Sequence, residues 1–99
     1  MPITFYIPGA LRGFTAGRAT VELASSPTLV GDALKELWNL YPGIRDRVAT
    51  EQGEVRQHIN IFVGNEDIRF TGGLATALTP DAKISIVPAV SGGSTRYLD

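Results

Sequence analysis

The sequence predicts an α+β fold, a mixed sheet of four to five strands with one main helix packed on one face. Three observations carry this. Several short segments alternate apolar and polar residues, as strands buried on one side do. One longer segment repeats its apolar residues at steps of three and four, as an amphipathic helix does. A strand pair precedes that helix and the remaining strands follow it, giving the order β-β-α-β-β with an additional short strand before the last.

Each element rests on its own residues. In Ile3 to Ile7, Ile3, Phe5 and Ile7 share one face, and Thr4 and Tyr6 the other. Pro8-Gly9 stops the run. A loop of small residues leads to Arg18–Ala24, where Val21 and Leu23 share a face, so the two runs read as a hairpin. Thr28 is the expected helix N-cap, and Asp32 places negative charge in the first turns, where the helix dipole favours it. Val30, Ala33, Leu34, Leu37, Trp38 and Tyr41 form one apolar stripe, with Trp38 and Tyr41 at the core or its rim. Pro42-Gly43 ends the helix, since proline cannot continue the hydrogen-bond ladder. Gly43 to Ala49 adds a short second piece of helix, and the polar run that follows is a loop. His58 to Gly64 alternates again, with Ile59, Ile61 and Val63 on one side. A turn at Gly64–Asp67 precedes a short strand, Asp67–Phe70. Gly72-Gly73 and Pro80-Asp81 mark turns. Lys83 to Val90 is the last strand, with Ile84 and Ile86 facing inward.

Composition narrows the function. Ninety-nine residues make one domain, and a net charge of −1 offers no basic excess for nucleic acid. The longest apolar stretches are too short to span a bilayer. Met1 to Gly9 lacks the basic and apolar regions of a signal peptide, so the cytoplasm is the expected location. There is no cysteine, which excludes disulfides, thiolate metal sites and cysteine nucleophiles. The lone histidine, His58, reads as a strand-end surface residue. Glu66, Asp67 and Arg69 read as surface ion-pairing residues beside a turn, with Arg69 also suited to steering an acidic partner cleft. Gly72-Gly73 has no phosphate-loop context. With no metal cluster, no nucleophile–base pair and no paired buried carboxylates in the pattern, the expected catalytic and metal sites are none, and the chain is not expected to be an enzyme.

The informative stretch is the one after the last strand. Gly92-Gly93 follow Val90 and Ser91, and six residues, Ser94 to Asp99, follow the pair. An arm of Val90, Ser91, Gly92 and Gly93 extends roughly 10 Å at full stretch. Its two glycines carry no Cβ, so it can enter a cleft that would exclude any side chain. The expected organisation is a domain over residues 1–91, an arm at 92–93 and a removable extension at 94–99.

These residues carry a family likeness. The opening strand, Leu40–Val48 (LYPGIRDRV), Asn60–Phe70 (NIFVGNEDIRF), the run to Leu78 and Ile84–Gly93 (ISIVPAVSGG) together resemble the ubiquitin-like sulfur-carrier proteins of the ThiS/MoaD family, most of all their CysO-like branch. The resemblance implies a β-grasp (ubiquitin-like) fold with the last strand central in the sheet. It implies an E1-like enzyme that uses ATP to adenylate a C-terminal glycine, and sulfur then converts that glycine to a thiocarboxylate. The carrier itself binds no cofactor. Here Gly93 is joined to Ser94, so the reading is a precursor cut between Gly93 and Ser94, in such relatives by a JAMM-type zinc metallopeptidase. A sulfur-accepting synthase, in cysteine or related sulfur-metabolite biosynthesis, completes the expected partners. The alternatives are the small subunit of molybdopterin synthase and a protein modifier conjugated through Gly93.

A docking surface follows from the strand faces. If the isoleucines face the helix, Tyr6, Phe62, Val87 and Ala89 gather on the opposite face as one apolar patch beside the arm.

Overall fold

The computed structural model describes residues 2–88. Five strands form one sheet: β1 (Thr4–Tyr6), β2 (Thr20–Glu22), β3 (Ile59–Val63), β4 (Glu66–Asp67) and β5 (Lys83–Pro88). Their order is β2-β1-β5-β3-β4. β1 and β5 run parallel, and the other neighbours are antiparallel. The last strand therefore returns to the middle, between the opening hairpin and the β3–β4 pair, as expected.

Hydrophobicity explains that placement. β5 aligns Ile84 with Phe5 on one side and Ile86 with Ile61 on the other. All four are essentially buried. A strand flanked by two others shields its backbone and its inward side chains at once, so the strand linking the two apolar rows lies at the centre.

One helical layer covers this face. Helix α1 (Val30–Leu40) buries Val30, Ala33, Leu34 and Leu37, and Trp38 and Tyr41 pack at the rim. The chain breaks at Tyr41 and restarts as α2 (Pro42–Val48), with proline at its first turn, where the missing N–H costs nothing. Ile44 and Val48 of α2 complete the core. The Arg47 guanidinium lies 4.9 Å from the centre of the Phe14 ring, tying α2 to the short 3-10 segment Gly9–Phe14.

Two local expectations are corrected. Thr28 is not the N-cap of α1. Leu29 takes that position and no side chain caps the helix. The Thr76 carbonyl serves instead, accepting from the Val30 amide at 3.0 Å, and the Leu78 amide donates to the Thr28 carbonyl at 2.8 Å, holding the two segments together beside the helix start. The predicted strand Asp67–Phe70 is also shorter and displaced. Only Glu66–Asp67 pairs with β3, and Ile68–Phe70 is a 3-10 turn that Asp67 caps by accepting from the Arg69 amide at 2.9 Å.

The segment that caps α1 also sets a tight approach. A Cβ at Gly31 would lie 3.2 Å from the Leu74 carbonyl oxygen, so the first turn of α1 sits directly on the 3-10 turn Gly73–Ala75.

Candidate functional site: an open sheet face leading to the tail

The site is built by alternation along strands covered on one side only. Register places Tyr6 and Phe62 on either side of Ser85, so β1, β5 and β3 present Tyr6, Ser85 and Phe62 in one row. The next level toward the end of β5 pairs Val87 with Asn60. Tyr6 and Val87 are 39% and 41% exposed, and Phe62 is half-buried. These three residues thus share the face opposite the helices. The fourth expected member, Ala89, lies outside the described residues. So do Val90, Ser91, Gly92, Gly93 and Ser94, the expected arm and cleavage site.

Phe70 was missed by pattern reading. It is 87% exposed, and with Phe62, Glu66 and Asp67 it lines a shallow groove at the β4 edge. Treating Asp67–Phe70 as a strand puts Ile68 and Phe70 on one face. In a 3-10 turn, with three residues per turn, residues two apart diverge. Ile68 enters the core at 3% exposure while Phe70 projects outward.

Arg69 needs a correction as well. It forms no ion pair with Glu66 or Asp67, and Arg45–Asp46 is the only salt bridge among the described residues. The Arg69 guanidinium instead donates to the carbonyls of Gln57 at 3.0 Å and Ile59 at 2.9 Å, and to the Asn60 side chain. A planar fork of donors suits this clustered set of acceptors. The result ties the 3-10 turn to the start of β3, beside the Ile59–Pro88 pair where β5 ends. His58 is exposed, one residue before β3, as expected. Gly72 and Gly73 occupy a turn with positive φ at both positions.

No group of three or more His, Asp or Glu among the described residues is placed to hold a metal. Nor is any helix among them long and apolar enough to cross a membrane. What the described face offers is an apolar surface next to the end of the central strand.

Comparison with known proteins identifies the scaffold. The ThiS family profile matches residues 5–93, from β1 through Gly93. The chain belongs to the ThiS family. Among curated ThiS-like relatives, the sulfur carrier protein CysO of Mycobacterium tuberculosis is 41% identical over 95 residues, covering 94% of this chain and all of that one. Small archaeal modifier protein 1 of Haloferax volcanii is 33% identical over 79 residues, covering 79% of this chain and 86% of that one. The crystal structure of M. tuberculosis CysO superposes with a TM-score of 0.80 at 37% identity, covering 89% of this chain and 99% of that one. A chain of the Amycolatopsis orientalis BexX/CysO complex superposes with a TM-score of 0.83 at 33% identity, covering 92% of this chain and 99% of that one. The β-grasp fold and the likeness to CysO-type carriers expected from the sequence are both found. The relatives are named as carriers and modifiers rather than enzymes.

Proposed function

We propose that this ThiS-family chain is a sulfur carrier made as a precursor, and that its working group is the carboxyl of Gly93. The observation that supports this most directly is where the family match stops. It ends on Gly93, the second residue of the glycine pair, with Ser94 to Asp99 beyond it. The domain over residues 1–91 presents the arm, the pair at 92–93 threads a partner's cleft, and residues 94–99 are removed.

The chemistry explains why cleavage is needed. The Gly93 carbonyl in this sequence belongs to an amide. Hydrolysis of the Gly93–Ser94 bond, the expected work of a JAMM-type zinc metallopeptidase, frees a carboxylate. A carboxylate is a poor electrophile. An E1-like enzyme transfers the adenylyl group of ATP to it with release of pyrophosphate, and the acyl carbon gains AMP as a leaving group. Sulfide or a persulfide attacks that carbon, and AMP departs with the electron pair of the broken C–O bond. With sulfide the thiocarboxylate forms directly; with a persulfide, reduction of the acyl disulfide by a thiol releases it. A sulfur-accepting synthase, in cysteine or related sulfur-metabolite biosynthesis, then takes the sulfur. No cysteine is present to carry sulfur elsewhere. Tyr6, Phe62, Val87 and Ala89, joined by Phe70, form the surface on which the activating enzyme docks. That a CysO is described in a complex with BexX supports a carrier acting through protein partners.

Intact mass of the protein from its native host tests the reading. The expected species lacks residues 94–99 and carries sulfur in place of one carboxyl oxygen. Retention of the hexapeptide in the working protein overturns it. Gly93→Val adds a branched side chain where a narrow channel requires none, and is expected to abolish cleavage and thiocarboxylate formation while leaving the unfolding midpoint unchanged.

A second reading is supported by the relatives named small archaeal modifier proteins. Conjugation of Gly93 to lysine amines would appear as high-mass adducts linked through Gly93, in place of the free thiocarboxylate.

A further inference from the structure

Among the described residues, the outer edge of β2 has no neighbouring strand. In β2, the Leu23 amide donates to the Ile3 carbonyl at 2.9 Å, and the Ala19 carbonyl accepts from the Ile7 amide at 2.8 Å. Antiparallel pairing alternates, so Ala19, Val21 and Leu23 direct their backbone groups at β1, while Thr20 and Glu22 direct theirs outward. β2 is the last strand on this side of the sheet. Two amides and two carbonyls therefore face away from it.

This edge borders a groove. Leu40 and Tyr41, at the end of α1, form its opposite wall, and Arg18, Thr20, Val21 and Glu22 line the strand side. Leu40 is 53% exposed, unusual for a leucine beside a core. Val21 is buried toward the helices, and Thr20 and Glu22 lie on the open face. The entry to the strand is held firmly. The buried Thr15 hydroxyl donates to the Arg18 carbonyl at 2.9 Å, and Ala16 and Gly17 turn the chain with φ of 56° and 81°. Among the described residues, the Arg18 guanidinium makes no hydrogen bond or ion pair. The Arg18 cation thus stands at one end of this edge and the Glu22 carboxylate at the other.

We propose that this edge takes up an extended segment of a partner protein as a sixth strand. Main-chain bonds to Thr20 and Glu22 hold it. At the level of Val21 its apolar side chains turn toward Leu40 and Tyr41, and on the other face it carries an acidic residue near Arg18 and a basic one near Glu22. The strand runs antiparallel, the more stable pairing. The site lies two strands from β5, so a partner held here leaves the end of β5 uncovered. The inference does not depend on the chemistry assigned to Gly93.

The probe is an end-blocked peptide reading Ile-Lys-Ile-Thr-Val-Glu, which places its charges as required when antiparallel. Titrated into the isotope-labelled full chain, it is expected to shift the amide resonances of Thr20, Glu22 and Leu40. Exchanging its Lys and Glu is expected to weaken binding about fivefold, the scale of cross-strand charge pairs. The double variant Arg18→Glu, Glu22→Lys, altering only exposed side chains, is expected to reverse that preference. Absence of shifts at Thr20 and Glu22, shifts confined to Tyr6, Phe62 and Val87, or equal binding of the two peptides each overturns the proposal. Slow tumbling of the chain without peptide, abolished by Thr20→Pro, would assign the edge to a second copy and overturn it as well.

Discussion

On β1, Phe5 is 0% exposed and its neighbour Tyr6 is 39% exposed, and on β5 Ile86 is 2% exposed while Val87 is 41%. Adjacent apolar residues on the same strands thus meet opposite environments. One face of the sheet is closed by α1 and α2, and the other is covered by none of the described residues. The inner face holds the molecule together, and its residues are replaceable only at a cost in stability. The outer face contributes little to folding, so its apolar character has to be explained by what it meets.

That contrast is most directly broken by changing neighbouring residues. Phe5→Ala is expected to lose about 3–5 kcal/mol of unfolding free energy, the usual cost of emptying a core aromatic site. Tyr6→Ser, one residue away, is expected to lose less than about 1 kcal/mol, with its main effect on binding to the proposed activating enzyme. Urea denaturation of both variants measures the difference, and equal losses would contradict the assignment of faces. A probe of the helix layer comes next. Gly31→Val forces a branched side chain against the Leu74 carbonyl, and is expected to cost about 1–3 kcal/mol by overpacking, read from the same experiment. Arg69→Met removes the fork that gathers the Gln57 and Ile59 carbonyls. Its expected cost is about 1–2 kcal/mol, with faster amide exchange concentrated at the start of β3. The smallest effect is expected at the surface. Asp46→Asn breaks the 3.4 Å pair with Arg45, whose side chains are 35% and 83% exposed, and should change stability by no more than about 0.5 kcal/mol.

Legibility followed periodicity. Ile3, Phe5 and Ile7, the α1 stripe, and Ile84 and Ile86 each repeat with the spacing of their element, and each is found where that spacing puts it. The exposed positions of Tyr6 and Val87 follow from the same alternation. Residues 64–82 were harder to read. They mix a two-residue strand with two 3-10 turns, and segments that short carry too few residues to show a period. Phe70 and Arg69 were misjudged for that reason, and Thr28 because a carbonyl from this same stretch, that of Thr76, takes the first amide of α1. The partners of Thr28 and Arg69 come from segments that only the fold brings beside them.

The amino-acid order alone was enough to specify which segments alternate, where the helix lies and that Gly93 stands two residues past Ser91, because these are properties of neighbours along the chain. Only tertiary structure decided that β5 lies between β1 and β3, that the Thr76 carbonyl receives the first amide of α1, and that Arg69 serves carbonyls rather than carboxylates. A backbone group or a guanidinium bonds to whatever acceptor the fold brings within reach, and that proximity arises only when distant segments pack to remove their apolar faces from water.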